Sequence, residues 1–215
     1  LNIFPQESDM SGLRQLLLNI KHIPIDALII SDLGVLSLAK QYTNFPIHAS
    51  TQASITNMYT AKLWQSFGVK RIVLAREVSL KETANIKNDI DIETEVFIHG
   101  AMCSSYSGKC TISNVTTGRD SNRGGCVQSC RHQYQLSNGD QLHIMNSKDL
   151  RGIELIPEYF KSNIDAVKIE GRMKSALYVA NTVSQYRKAI DLYSNNPSEY
   201  FEELPNLKHN LSNVS

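Results

Sequence analysis

Cys103, Cys110, Cys126 and Cys130 are the only cysteines among 215 residues, and all four lie between Glu95 and Tyr134. Their spacing is C-x6-C-x15-C-x3-C, and five of the 11 glycines, Gly100, Gly108, Gly118, Gly124 and Gly125, fall in the same stretch. Thiolates ligate zinc and iron strongly, and glycine lets a backbone bend around a compact centre. The clustering therefore points to a metal or an iron–sulfur cluster. Two disulfides are the alternative, but they belong mainly to small secreted domains, and a chain of this length buries a core without staples. Four unrelated buried thiols would scatter along the chain instead. Zinc sites favour C-x2-4-C pairs at both ends; the longer loop between Cys103 and Cys110 suits such a knuckle poorly, whereas cluster ligands tolerate more varied spacing. Iron–sulfur is thus expected over zinc. Cys126 and Cys130, four apart, would share a helical face if their turn is helical. Arg131 stands where it could lower the Cys130 thiol pKa or contact substrate.

Longer motifs surround the cysteines. Glu95-Val-Phe-Ile-His-Gly-Ala-Met-Cys103 is followed by Tyr106-Ser-Gly-x-Cys110-x-x-Ser113, then by Arg119-Asp-x-Asn-Arg-Gly-x-Cys126-x-Gln-x-Cys130-Arg131. Flanking segments are His48-Ala-Ser-Thr-Gln52, Leu74-Ala-Arg-Glu77, Asn146-Ser-Lys-Asp-Leu150 and Lys168-Ile-Glu-Gly-Arg-Met-Lys174. Together these resemble the signature of the peptidase U32 family over nearly the whole chain. The family was named for collagenase-like proteolysis, but its better understood members are oxygen-independent hydroxylases with a cysteine-ligated 4Fe–4S cluster. They act on tRNA wobble uridine, on 23S rRNA or on the ubiquinone ring. The block here looks most like the bacterial branch that makes 5-hydroxyuridine in tRNA, drawing on prephenate. The resemblance thus implies a 4Fe–4S cofactor on the four cysteines, prephenate as hydroxyl donor and tRNA as partner. It also raises His99, Glu170 and Arg172 as catalytic residues, without assigning their roles.

Two other classes stay open. A collagenase-like peptidase would fit the family name, yet the chain has no G-x-S-x-G elbow and no H-E-x-x-H helix. A noncatalytic cluster-bearing scaffold, working with a partner subunit, is the third.

The chain must carry these residues on a frame. Apolar content of 41% and charge of 20% are ordinary for a globular protein. No apolar run reaches the roughly 18 residues of a transmembrane helix, so no membrane partner and a cytoplasmic location are expected. Net charge is +1, but His99 to Arg151 holds six Lys or Arg against three Asp, so that segment is +3 and the remainder −2. A basic patch beside the cysteines could hold phosphates, with Arg119, Arg123, Arg131 and Lys148 as the expected RNA contacts; a solvated loop is the plainer reading.

Short apolar runs predict strands at 27–30, 47–50, 71–75, 94–99 and 165–170, with helices near 33–42, 55–67 and 174–193. Ser8 or Asp9 can cap a first helix, and Ser79-Leu-Lys-Glu82 is a capping-box pattern opening another. Strand starts near 27, 47, 71 and 94 recur every 20 to 24 residues. That is the rhythm of βα units around a parallel sheet. Both the rhythm and the resemblance imply a TIM-like (β/α) barrel. It is expected to be incomplete, because Leu1 to Phe4 reads as a strand end, about two units should precede it, and the chain looks like a fragment or processed form. Open strand edges would invite self-association or a partner subunit. Residues 142–146 read as a strand or an extended connection, and Pro157 as a break or kink within a helix over 152–161. Leu177, Val183, Tyr186, Ile190 and Tyr193 give the last helix its core face. One partial barrel domain is expected over 1–205, including the cysteine-rich segment 99–134, with a polar, fraying tail over 206–215. In a parallel barrel the site lies at the carboxyl ends of the strands. Gln52 and Arg76 stand there as substrate contacts, beside Glu77, His99, Glu170 and Arg172.

Overall fold

The computed structural model describes residues 1–213. Among these residues eight strands form: β1 Leu28–Ile30, β2 Ile47–Ala49, β3 Arg71–Val73, β4 Glu93–Ala101, β5 Tyr134–Gln135, β6 Gln141–Leu142, β7 Asp149–Arg151 and β8 Ala166–Glu170. Eight α-helices accompany them: α1 Met10–Ile20, α2 Leu33–Tyr42, α3 Met58–Ser66, α4 Leu80–Asn88, α5 Ile112–Thr117, α6 Ile156–Lys161, α7 Ala176–Asn195 and α8 Pro197–Ser212. The five expected strands are all present. β1, β2, β3 and β4 pair in that order, all parallel, and β8 joins β4 in parallel on its other edge. Beyond the end of β3, β4 also takes β7, antiparallel. The sheet is open: among the described residues β1 pairs only with β2 and β8 only with β4.

Alternation along the strands decides what each face does. Ile30, Ile72 and Ile98 are fully buried in a core that also takes Leu17, Leu36, Trp64, Ile86 and Ile156 from the helices. The other face of the sheet is polar. Glu95 on β4 bonds Arg71 of β3 at 3.4 Å and Lys168 of β8 at 3.2 Å, and Phe97 lies two residues further along β4. Helix starts follow their caps. Asp32 accepts from Val35 N at 2.9 Å, and the Ser79–Glu82 box is reciprocal, with bonds of 3.2 and 2.9 Å.

Several expectations need correction. The third helix starts at Met58, where Asn57 accepts from Thr60 N, and not at Ile55. Asp9 stands at the N-cap of α1 without a side-chain cap bond, since its carboxylate accepts from Gln6 N and pairs with Arg123, both at 2.7 Å. Leu1 to Phe4 is not a strand; Phe4 N donates to Asn122 O at 3.1 Å, so the segment leans on the cysteine block. The segment expected as a helix over 152–161 divides at Pro157 into a 3-10 turn over Ile153–Leu155 and α6, whose first turn holds Pro157 where no intrahelical N–H is needed. Of residues 142–146 only Leu142 lies in a strand, in the β5–β6 hairpin, and the rest form a connection with a turn at Ile144 and Met145. The buried stripe of α7 is Tyr178, Thr182, Tyr186 and Ala189, while Leu177 is 71% exposed. Residues 206–212 do not fray, since α8 runs to Ser212 and buries Leu207 and Leu211; the tail's last two residues lie outside the described ones.

Candidate functional site

Because β1 to β4 and β8 are parallel, their carboxyl ends gather Gln52, Arg76, Ala101 and Glu170 at one end of the sheet. The cysteine segment folds over that end and is fastened to it. Ser107 N and Oγ donate to the Glu77 carboxylate at 3.2 and 2.9 Å, and Arg76 N donates to Ser107 Oγ at 3.1 Å. Gly108 has φ +70 and lies so close to Gln52 that an added Cβ would come within 2.4 Å of its carbonyl oxygen. Within the segment, Asn122 donates to Cys110 O at 2.8 Å, and Ser113 Oγ accepts from Val127 N at 3.2 Å. Arg131 clamps the far side, donating to Asn146 Oδ1, Ser147 O and Met102 O at 2.8 to 3.1 Å.

This scaffold brings all four cysteines to one cavity of about 190 Å³, with none in a disulfide. Gln52, Arg76, Glu170 and Arg172 line the same cavity. Among the described residues, no three Cys, His, Asp or Glu converge on one point as a single ion requires. The four thiols line one volume rather than meeting at a point. The Cys103 side chain opens onto the cavity, yet its walls desolvate the thiol and push its pKa up; a Ser105 backbone bond and the Arg76 charge pull the other way. Cys126 and Cys130 do not share a helical face as expected. Gln128 between them takes left-handed backbone with φ 58, and only a 3-10 turn over Ser129–Arg131 follows.

Arg76 stacks its guanidinium 4.1 Å from the Phe97 ring centre and lies 3.6 Å from Glu170, while its buried Nε has no protein partner. Arg172 N donates to Glu170 Oε1 at 3.0 Å, and its guanidinium donates to Gly124 O at 3.2 Å. A second cavity of about 260 Å³ adjoins the first and shares Gln128, Arg131, Glu170 and Arg172 with it. Asp149 and Lys174, paired at 2.9 Å, complete much of its wall.

Of the residues picked from sequence, the four cysteines, Gln52, Arg76, Arg131, Glu170 and Arg172 come together. His99 does not: it is 4% exposed, Nδ1 lies 3.0 Å from Tyr186 Oη, and its ring packs on Tyr178 and Tyr186, so it lines neither cavity. Arg123 is drawn into a bidentate pair with Asp9 and a bond to Phe4 O, both at 2.7 Å at their shortest. Arg119 and Lys148 are exposed on the outside of the block. Sequence reasoning missed Gln128, Asp149 and Lys174; the glutamine centred between two cysteines was the available signal.

Two histidines give the fold a pH dependence. Burial, chiefly, holds His99 below the ordinary imidazole value of 6.5, and burial followed by the Arg71 charge does the same for His48. The unfolded chain therefore takes up protons first as pH falls through about 6.5, and the folded state loses stability from there downward. Depressed carboxylates such as Asp165 add their loss only nearer pH 4 or so. Thermal midpoints are expected to fall between pH 7 and 5, and His99→Gln to flatten that slope; an unchanged slope would contradict the assignment.

Comparison with known proteins agrees with the cysteine block. The profile described as peptidase family U32 matches residues 1–215. The chain is 42% identical over 222 residues to tRNA hydroxylation protein P1 of Bacillus subtilis, covering 94% of this chain and 53% of that protein. It is 40% identical over 230 residues to tRNA hydroxylation protein P of Helicobacter pylori, covering 97% and 54%. The 23S rRNA 5-hydroxycytidine synthase of Escherichia coli is 35% identical over 197 residues, covering 89% and 30%. The chain thus spans about half the length of the first two. No helix among the described residues is long and apolar enough to cross a membrane. Both the cysteine block and the profile over the full 215 residues place this chain in peptidase family U32.

Proposed function

We propose that this chain is the cluster-bearing part of an RNA hydroxylase acting on tRNA uridine to give 5-hydroxyuridine. The observation that carries the reading is the convergence of all four thiols on one cavity at the carboxyl end of a parallel sheet. In this reading Cys103, Cys110, Cys126 and Cys130 hold a 4Fe–4S cluster and the open sheet is an arc of a (β/α) barrel. When bound, the cluster supplies a redox-active iron centre beside the substrate. The hydroxyl comes from a small donor other than molecular oxygen, with prephenate the candidate from the family resemblance. The protein's own residues do the rest. Glu170 and Arg172 present an acceptor and a donor where the two cavities meet, and the unpartnered Arg76 Nε is a donor waiting for an acceptor. His99 supports the end of β4 from behind.

RNA reaches the cavity by its phosphates. With Arg123 and Arg131 occupied by protein partners, exposed Arg119 and Lys148 are the phosphate contacts in this reading. The names of the relatives support it, as both tRNA and rRNA hydroxylation occur among them. Loss of 5-hydroxyuridine from the tRNA of a strain lacking the gene tests it; intact hydroxyuridine together with gelatin cleavage by the purified protein would favour a peptidase.

A further inference from the structure

The second cavity and Gln128 have a role that the cluster does not explain. We propose that this cavity receives the target pyrimidine, turned out of the RNA, and that the Gln128 amide reads its base-pairing edge. The inference rests on the RNA-hydroxylase reading and names the part of the site that recognises the base.

Three observations lead there. The two cavities share Gln128, Glu170 and Arg172, so a ring seated in the second has one edge at the thiol-lined cavity. The wall of the second cavity is polar but largely neutralised: Asp149 is met by Lys174 at 2.9 Å and by Arg131 at 3.4 Å. Such a wall offers donors and acceptors to a polar ring, and Met173, 71% exposed, supplies an apolar surface at the rim for its face.

The third observation is Gln128 itself. Its neighbours spend their side chains inside the block: Ser129 Oγ pairs with Thr116 Oγ1 at 2.6 Å, and Arg131 clamps three oxygens. The Gln128 side chain has no hydrogen-bond partner among the described residues, and its backbone stands at φ 58, a conformation glycine would adopt without strain. Strain kept at a long polar residue marks a side chain held for use. A carboxamide carries a donor and an acceptor side by side. The base-pairing edge of uracil offers the complement, an N3–H donor next to the O4 acceptor, and flipped bases are read along that edge. A carboxylate at the same place could only accept and would oppose O4.

The test complements a strain lacking the gene with the full-length protein, with Gln128→Gly, which keeps the left-handed turn and removes the amide, and with Gln128→Glu. Hydroxyuridine in tRNA is measured by mass spectrometry, and visible absorption of anaerobically purified protein reports the cluster. A lost bidentate contact predicts a drop of at least about fivefold in both variants with absorption unchanged. Wild-type hydroxyuridine in Gln128→Gly overturns the inference while leaving the hydroxylase reading intact. A drop accompanied by loss of absorption also overturns it, since Gln128 would then only position the cysteines. Failure of the wild-type gene to restore hydroxyuridine brings down the hydroxylase reading, and this inference with it.

Discussion

Serine at any one of Cys103, Cys110, Cys126 or Cys130 is expected to lower 5-hydroxyuridine in tRNA to the level of a strain without the gene. Each thiol reaches the cavity on a different local device, so none can substitute for another. Cys103 follows the end of β4, Cys110 follows the Gly108 contact with Gln52, and Cys130 lies in the turn clamped by Arg131. Cys126 follows Gly125, whose added Cβ would meet Asp120 O at 2.6 Å. No other cysteine exists in the chain to replace a lost ligand. The variants should still fold, because the thiols are unbridged and two are exposed; away from core packing a change of about 0.5 kcal/mol is ordinary. Folded variants that have lost both the broad visible absorption and the modification are the expected result. A serine variant with wild-type hydroxyuridine, or protein that takes up one zinc and no iron, would contradict it.

Gly100→Ala should be the most damaging of the glycine-to-alanine changes, its added Cβ making the tightest contact. Gly100 lies near the end of β4, paired to Leu150 on one edge and Glu170 on the other, at φ +104. A Cβ there would come within 2.1 Å of Glu170 O, a backbone atom that cannot swing aside. Backbone strain of about 1–3 kcal/mol adds to overpacking of about 1–3 kcal/mol, so a loss of about 3 kcal/mol or more is expected. For a domain of this size that lowers the melting temperature by roughly 10 °C. Gly118→Ala is the control: φ is +69, but nothing lies within 4 Å of the added methyl, so strain alone of about 1 kcal/mol should appear. Equal melting of the two variants would refute the close approach. Because Glu170 lines both cavities, Gly100→Ala should also impair RNA modification beyond its effect on stability.

Much of the frame was legible because local rules dictate it. Strands with a buried face carry apolar residues, in short runs in β1 and β4 and in alternation with Lys168 and Glu170 in β8; the Ser79–Glu82 box declares its helix before any packing is known. The cysteine block was legible because its residue types have few other uses at that density. What could not be read depends on distant partners. Arg123 and Arg131 look like free cations in a charge count, but Asp9, 114 residues away from Arg123, and the carbonyls of Met102 and Ser147 claim them. His99 looks like a strand-end base until Tyr178 and Tyr186 close over it. The phase of α7 was misjudged because Leu177 and Val183 are apolar yet face outward, while Thr182 faces inward. Gln128 is marked only by its place between Cys126 and Cys130; its left-handed backbone is a property of the folded loop alone.

The central claim, that this chain serves RNA hydroxylation, is tested most directly by nucleoside mass spectrometry of tRNA and 23S rRNA from strains with and without the gene. The account predicts that 5-hydroxyuridine disappears from the tRNA of the deletion strain, returns with the full-length wild-type gene, and does not return with Cys126→Ser. Identical hydroxylated nucleosides in both RNAs, with and without the gene, would contradict it.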